Sequence, residues 1–510
     1  MTQDRQSALG RVLNHKGKQY FFDVHSSEIL HIDEVLASLL PVIGSPDEES
    51  CLSSLRGLHG DEAVDSAIVE FHTARSKEGL FLAERPEVAS NCDSCLKWDR
   101  YQLELSHLTI TLTDQCNLRC RYCLHSSSCS WVRPHRDRSL SKDAAVKALR
   151  FFGDRCGDSP HPNVSFYGGE PLLEFDLIKA LVAEADEHPD WPDIRFTIDT
   201  NATLITEEVA EFLIHKKIHL QVSLDGPAAT HDRFRVTRNG GPTHEAVLQG
   251  LRTVLELDAE AASRISFVAT ITPPYDFLTV AKYFDHFPLF EEFGISKAPY
   301  VRMNRVNLEG IDLAEVDPET AVPDDGTGEQ LRTNWHIARD YYLKDRSGDG
   351  TVDPSPTLRQ FFDTDVMRLY HRPRSPLPRP YPPTGFCQPG QRRLHVRTDG
   401  SFQPCERVGE SLVIGDVEQG IDLEKVENLF SGLFGAVRHR CEDCWALRMC
   451  GICFTALAPK WSSEDPAATE VPPEYCEAVK ANTEEAIRLF LDLKDRSPGA
   501  LDFLEGSKMI

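Results

Sequence analysis

Between residues 106 and 306 the sequence keeps switching period. Six runs read as strands: "HLTITLT" (107–113), "NVSFYGG" (163–169), "RFTIDTNAT" (195–203), "HLQVSLDG" (219–226), "RISFVATIT" (264–272) and "APYVRMNRV" (298–306). Between most of them lie helically spaced stretches: "SKDAAVKALRFFGDRC", "LLEFDLIKALVAEADEH", "ITEEVAEFLIHKKI" and "THEAVLQGLRTVLELD". Ser141 and Thr206 stand where helix N-caps belong, with acidic residues in the first turn. Strands joined by crossover helices imply a parallel sheet, here expected to curve into a partial barrel. Active sites of such barrels collect at the C-terminal ends of the strands.

The chain of 510 residues exceeds what one hydrophobic core supports, so about three domains are expected. Hydrophobic residues at 41% and charged residues at 26% are ordinary for a globular enzyme. No apolar run approaches the roughly 20 residues of a membrane span. The opening "MTQDRQSALGRVLN" lacks the apolar stretch of a signal peptide. The expected location is therefore cytoplasmic, with no membrane partner. A formal net charge of -25 argues against a nucleic-acid partner, whose phosphates are held by Lys and Arg.

Fifteen cysteines are many for a reducing compartment, where disulfides do not persist and clustered thiols read as metal ligands. Ten of the fifteen form two groups, one near residue 120 and one from 387 to 476; Cys51, Cys92, Cys95, Cys129 and Cys156 stand apart. The first group, Cys116-x3-Cys120-x2-Cys123, follows the first barrel strand. Three thiolates in such a loop suit an iron–sulfur cluster of the 4Fe–4S type with one iron left open, since the full set is four. A zinc tetrahedron completed by His125 is the other reading of these residues.

"CNLRCRYC" resembles the signature of radical S-adenosylmethionine (SAM) enzymes. The resemblance implies that the open iron chelates the methionine end of SAM, whose cleavage yields a 5′-deoxyadenosyl radical that abstracts hydrogen. The cofactor carries the difficult chemistry and the protein positions it. "YGGEP" (167–171) is similar to the family's glycine-rich element, which implies contacts to the methionine amino group from Gly168, Gly169 and Glu170. "DTNAT" and "VSLDGP" end the next strands, and their Asn201, Ser223 and Asp225 suit ribose or carboxylate contacts. The resemblance adds Arg235 of "HDRFR" for the SAM carboxylate, matched by its planar fork. It places Tyr122 against the adenine.

The second group reads Cys387-x12-Gly400-x4-Cys405, then Cys441-x2-Cys444-x5-Cys450-x2-Cys453, then Cys476. It resembles the SPASM extension of radical SAM enzymes, which implies two auxiliary 4Fe–4S clusters and three in all. By that resemblance Cys441, Cys444, Cys450 and Cys476 hold the outer cluster, and Cys387, Cys405 and Cys453 the inner one. Here "CGIC" has a two-residue spacer where the family has three. A zinc ribbon accounts for only four of these ligands.

Residues 1–86 run strands, helices, strand, with "GLFLAE" as the closing strand. Ahead of such a body they resemble a RiPP recognition element, a winged-helix-like α+β module that binds the leader of a ribosomally made precursor peptide. The expected fold class is thus α/β: a partial (β/α)6 TIM-like radical SAM barrel with that N-terminal module and a C-terminal SPASM iron–sulfur domain. Expected boundaries are 1–86 for the module, 87–105 for a linker, 106–306 for the barrel, 307–385 for a bridging region, 386–480 for the SPASM domain and 481–510 for a terminal helix and tail. The resemblance implies a peptide maturase forming cysteine thioethers, served by a flavodoxin- or ferredoxin-type electron donor. Carbon–carbon cross-linking, formylglycine formation in a sulfatase, and a non-catalytic electron-transfer or zinc protein are the alternatives.

Overall fold

A computed structural model describes residues 7–89, 104–123, 125, 134–306, 329–348, 350–381, 388–456, 470–496 and 499–507. Lys16 and Gly17 both take positive φ, 51° and 76°, and reverse the chain. The turn pairs β1 (Gly10–His15) with β2 (Lys18–Asp23), and a second reversal at Ser27 adds β3 (Ile29–Ile32), all antiparallel. Three helices follow: α1 (Glu34–Leu39), α2 (Glu48–His59) and α3 (Asp61–Thr73). The expected closing strand at 79–84 does not form. Instead the Phe81 amide donates to the buried Asp23 carboxylate at 2.8 Å. The Phe81 ring lies against Phe21 and Phe71, so this segment fills the module's core rather than extending its sheet.

All six expected barrel strands form: β4 (His107–Thr113), β5 (Asn163–Gly168), β6 (Arg195–Thr200), β7 (His219–Ser223), β8 (Ile265–Ile271) and β9 (Tyr300–Arg305). They are parallel and lie side by side in chain order. The helices between them are α4 (Lys142–Gly153), α5 (Phe175–Asp186), α6 (Glu207–His215), α7 (Ala228–Phe234), α8 (His244–Leu257), α9 (Phe277–Asp285) and α10 (Pro288–Glu292). Ser141 Oγ accepts from the Ala144 amide and Thr206 Oγ1 from the Val209 amide, the N-caps expected from sequence.

The sheet is wider than its six central strands. β10 (Arg393–Val396) adds in parallel to β4, and β11 (Ser401–Gln403), β12 (Gly415–Asp416) and β13 (Gly420–Ile421) continue antiparallel, giving ten strands. These runs of two to four residues are too short to carry a readable period. The His395 ring meets Thr111 Oγ1 at 2.8 Å inside the joint. The polypeptide bearing the second cysteine group is thereby built into the barrel sheet.

Each barrel strand sends alternate side chains to opposite faces. One set, such as Leu108, Ile110, Val164, Phe166, Val222 and Phe267, is fully buried and meets the helices. Phe267 packs on Phe284, Phe287 and Phe290 of α9 and α10, with centroids 4.9 to 6.4 Å away. The other set is polar: Thr109, Ser165, Thr197 and Gln221 line a bore of about 200 Å³. Many barrel interiors are filled with Val, Ile and Leu; this one is hydrogen-bonding surface.

Four helices follow β9: α11 (Glu329–Ser347), α12 (Pro356–Tyr370), α13 (Leu423–Cys441) and α14 (Pro473–Arg496). The N-terminal module docks on the last of these and on the cysteine loop. Phe22 meets Trp445 edge-on at 6.3 Å. Arg448 donates to the carbonyls of His25 and Pro373. Asp492 of α14, nearly solvent-free, joins His15 at 2.9 Å, Lys16, and Arg339 of α11. Among the described residues no helix is long and apolar enough to cross a membrane.

Replacing Phe267 with Ala leaves a cavity between β8 and its covering helices. The expected loss is about 3–5 kcal/mol, read as a fall in denaturant midpoint with the slope unchanged.

Candidate functional site

The loop after β4 and the turn after β5 meet backbone to backbone. Gly169 N donates to Thr113 O and Glu170 N to Gln115 O, both at 2.8 Å. A Cβ on Gly169 would lie 2.0 Å from Gln115 O, and one on Gly168, whose φ is +150°, 2.4 Å from Thr113 O. Only glycine permits this approach. It fixes the segment from which Cys116 projects.

Glu170 is 1% exposed. Its Oε1 accepts from Leu172 N at 3.1 Å and Thr200 Oγ1 at 2.6 Å, and its Oε2 from Asn201 N at 2.8 Å. Burial outweighs those donors and pushes its carboxyl up to about 7. The side chain thus locks the ends of β5 and β6 together. Asn201 Nδ2 donates to Asn117 Oδ1 at 2.9 Å and reaches Cys116 Sγ at 3.9 Å. Asn117 and Thr203, joined at 2.8 Å, complete this tie; neither stood out in the sequence, because a lone Asn or Thr carries no spacing signal.

Asp225, 1% exposed, is the second hub. Its Oδ2 accepts from Tyr122 OH at 2.5 Å and Arg235 Nε at 3.0 Å, and its Oδ1 from Thr270 N at 2.9 Å. The guanidinium of Arg235 lies 5.5 Å from the Tyr122 ring centre. Burial alone would weaken the Arg235 cation, but Asp225, Tyr122 and Cys120 outweigh it and hold the guanidinium charged. Tyr122, Arg235 and Cys120 are thus brought together by a carboxylate on a third element.

Cys116, Cys120 and Cys123 line one cavity of about 700 Å³ with Gly168, Gly169, Glu170, Asn201, Ser223 and Arg235. Burial first, then neighbouring sulfurs, push the Cys123 thiol up to about 12; burial pushes Cys116 up to about 12 and raises Cys120. Such thiols stay protonated unless a metal takes them as thiolates. Among the described residues no group of three or more His, Cys, Asp and Glu converges tightly enough for a single metal ion. The three sulfurs therefore do not close on one point with His125, as a zinc tetrahedron requires. Sulfurs facing one space without converging fit the separate corners of an iron–sulfur cluster. His135, which sequence reading did not single out, holds Asp114 O at 3.2 Å through Nδ1 and lies 3.9 Å from Cys123 Sγ through Nε2.

The far wall of the cavity comes from β9 and the C-terminal segment, through Arg302, Glu406, Thr455 and Tyr475. Behind it the second cysteine group sorts into two sets. Burial, then the sulfurs of Cys444, Cys450 and Cys476, push Cys441 up to about 12. Burial, with Glu406 and Cys453 beside it, pushes Cys405 up to about 11. Cys387 lies outside the described residues, as do Cys92, Cys95 and Cys129.

Residues 110–273 match the radical SAM superfamily. This segment is a radical SAM domain. The chain therefore carries the catalytic domain of an enzyme superfamily. The GTP 3′,8-cyclase of Clostridium perfringens is 30% identical over 159 residues, 31% of this chain and 45% of that protein. The serine-type anaerobic sulfatase-maturating enzyme of Bacteroides thetaiotaomicron is 29% identical over 139 residues, 27% of this chain and 33% of that protein. The chain spans about half or less of the length of these curated relatives. A solved structure, native anSMEcpe with bound AdoMet, superimposes with a TM-score of 0.53 at 19% identity, over 79% of this chain and 100% of that one. It shares the fold.

Gly169→Ala is expected to displace the radical SAM loop. Iron content after reconstitution should fall, and SAM cleavage by about 100-fold, since misplacement of about 1 Å costs that much.

Proposed function

We propose that this protein is a radical SAM peptide maturase that installs thioether cross-links between cysteine sulfur and carbon in a ribosomally made precursor peptide. The observation that carries the reading is the cavity itself. One wall is the loop of Cys116, Cys120 and Cys123, and the opposite wall is Tyr475 and Thr455, beside the second cysteine group. A substrate in that space is held between two sets of thiols.

On this reading Cys116, Cys120 and Cys123 hold one 4Fe–4S cluster, and the second group holds two auxiliary ones. Cys441, Cys444, Cys450 and Cys476 form the outer ligand set, and Cys387, Cys405 and Cys453 the inner set. The mutual influence of Cys441, Cys444, Cys450 and Cys476, and of Cys405 and Cys453, supports that partition. The cluster and SAM supply a 5′-deoxyadenosyl radical. The protein's own residues hold and orient. Gly168, Gly169 and Glu170 offer backbone to the methionine end, while Asn201 and Ser223 present polar groups along the cavity. Asp225 occupies one edge of the Arg235 guanidinium, leaving the planar fork to a carboxylate. Tyr122, pinned by Asp225, presents its ring beside that site. The aromatic, largely enclosed setting excludes water from the radical's path.

A peptide substrate is supported by anSMEcpe, whose structures with AdoMet include bound Cp18Cys and Kp18Cys peptides, at TM-scores of 0.52 and 0.53. The three-stranded module is read as a winged-helix-like recognition element that takes the leader peptide as an added strand. Its contacts with Trp445 and Arg448 put any such leader within reach of the auxiliary cysteine loop. A flavodoxin- or ferredoxin-type protein would supply the electron, and the setting is cytoplasmic. Formylglycine formation is the second reading, favoured by the likeness to the sulfatase-maturating enzyme over residues of the radical SAM domain.

The test uses anaerobically reconstituted protein, SAM, a reductant and the cysteine-containing peptide encoded beside the gene. Wild type should form 5′-deoxyadenosine and a peptide lighter by two hydrogen atoms per cross-link, while Cys120→Ala should form neither. A wild-type protein that cleaves no SAM would sink the radical assignment; cleavage with an aldehyde product would favour the second reading.

A further inference from the structure

We propose that Asp199 accepts the proton released when sulfur is joined to carbon, and that the polar barrel bore beneath it carries that proton away. The inference rests on the thioether reading above. The net reaction takes a peptide thiol, a C–H group and SAM to a thioether, 5′-deoxyadenosine, methionine and one proton. The S–H, C–H and sulfonium S–C5′ bonds break, and the S–C bond forms. The hydrogen of the C–H group ends on 5′-deoxyadenosine. The peptide loses two electrons and SAM gains them; the electron that starts SAM cleavage is the one returned on coupling. The thiol proton has no partner in this balance and needs an acceptor.

Asp199 lies one residue from the C-terminal end of β6 and lines both the main cavity and the bore, so it sits where they join. The other acidic side chains lining the main cavity, among the described residues, are committed elsewhere. Glu170 has both oxygens taken by Leu172, Thr200 and Asn201. Glu406 faces Arg393 and Arg407 at 3.9 and 3.7 Å, and burial notwithstanding, these arginines hold its carboxyl below its usual range. His135 is held between Asp114 O and Cys123.

Asp199 has one donor, Gln221 Nε2 of β7. The charged groups facing it are Glu406 from the segment after β11, Arg302 of β9, Arg393 of β10 and Glu170 after β5. Burial and the Glu406 charge prevail over Arg302 and Arg393 and push its carboxyl up to about 7. A carboxyl so poised takes and releases protons near neutral pH. Below it the bore offers Thr197, Ser165, Asn163, Thr109 and finally His107 at the start of β4. Burial, then Arg393, pushes His107 down to about 4, so its ring is neutral and can both donate and accept. Inward alternation on every strand supplies this path, and apolar residues in the same positions would interrupt it.

The test compares wild type with Asp199→Asn, both reconstituted, on the same synthetic peptide. The variant should form 5′-deoxyadenosine within about twofold of wild type, while cross-links per 5′-deoxyadenosine fall by about tenfold or more. The acceptor must be ionised, so the wild-type coupling yield should rise as pH passes upward through about 7, and the variant should lose that rise. Asp199→Glu keeps a carboxyl and should keep the rise with a moved midpoint. If Asp199→Asn does not fold, Asp199→Ser serves in the same comparison. Unchanged coupling and an unchanged pH profile in the carboxyl-lacking variant would overturn the proposal. Absence of wild-type SAM cleavage would instead overturn the reading beneath it.

Discussion

The site depends on two amides and two glycines. Gly169 N and Glu170 N bind the carbonyls of Thr113 and Gln115 across a gap that leaves no room for a Cβ. The contact joins the ends of two neighbouring parallel strands, β4 and β5, to the loop that bears the three cysteines. Three thiols grip one cluster only if their loop has a single conformation, and a loop of that length does not hold one unaided. Backbone pairing to a strand end gives it that conformation at almost no side-chain entropy. Glu170 then extends the lock sideways to β6 through Thr200 and Asn201.

Asp225 does the equivalent task on the far side. It gathers a phenol from the cysteine loop, a guanidinium from the end of α7 and an amide of β8. Removing a buried carboxylate of this kind would strand a charged arginine and leave a phenol without its acceptor, so the three positions stand or fall together. Beyond them the C-terminal segment closes the cavity, and it does so rigidly because β10 belongs to the same sheet as β4. Helix α14 links this wall to the N-terminal module: Cys476 lies near its start, and Asp492, four turns further on, meets His15 and Lys16. A change in the module therefore has a stiff path to the second cysteine group.

Several features were legible because their physics is local. The six barrel strands begin within two residues of their expected positions, since a period of two cannot be mistaken for 3.6 over six or seven residues. The Ser141 and Thr206 caps were readable for the same reason: the side chain bonds an amide three positions on. "GLFLAE" misled because an apolar alternating run looks alike whether it pairs with a strand or fills a core. The Asp23 carboxylate, far away in sequence, decided for the second.

By itself the sequence determined the strand and helix order, the radical SAM cysteine loop and the glycines that let it close, because each is set by neighbours a few residues apart. Only the tertiary structure decided that β10 joins β4, that Asp225 rather than solvent holds Tyr122 and Arg235, and that Asp199 stands at the junction of two cavities. Those pairings span tens to hundreds of residues. Nothing in the spacing of a single aspartate announces which strands will curve around it, or how much water they will take away.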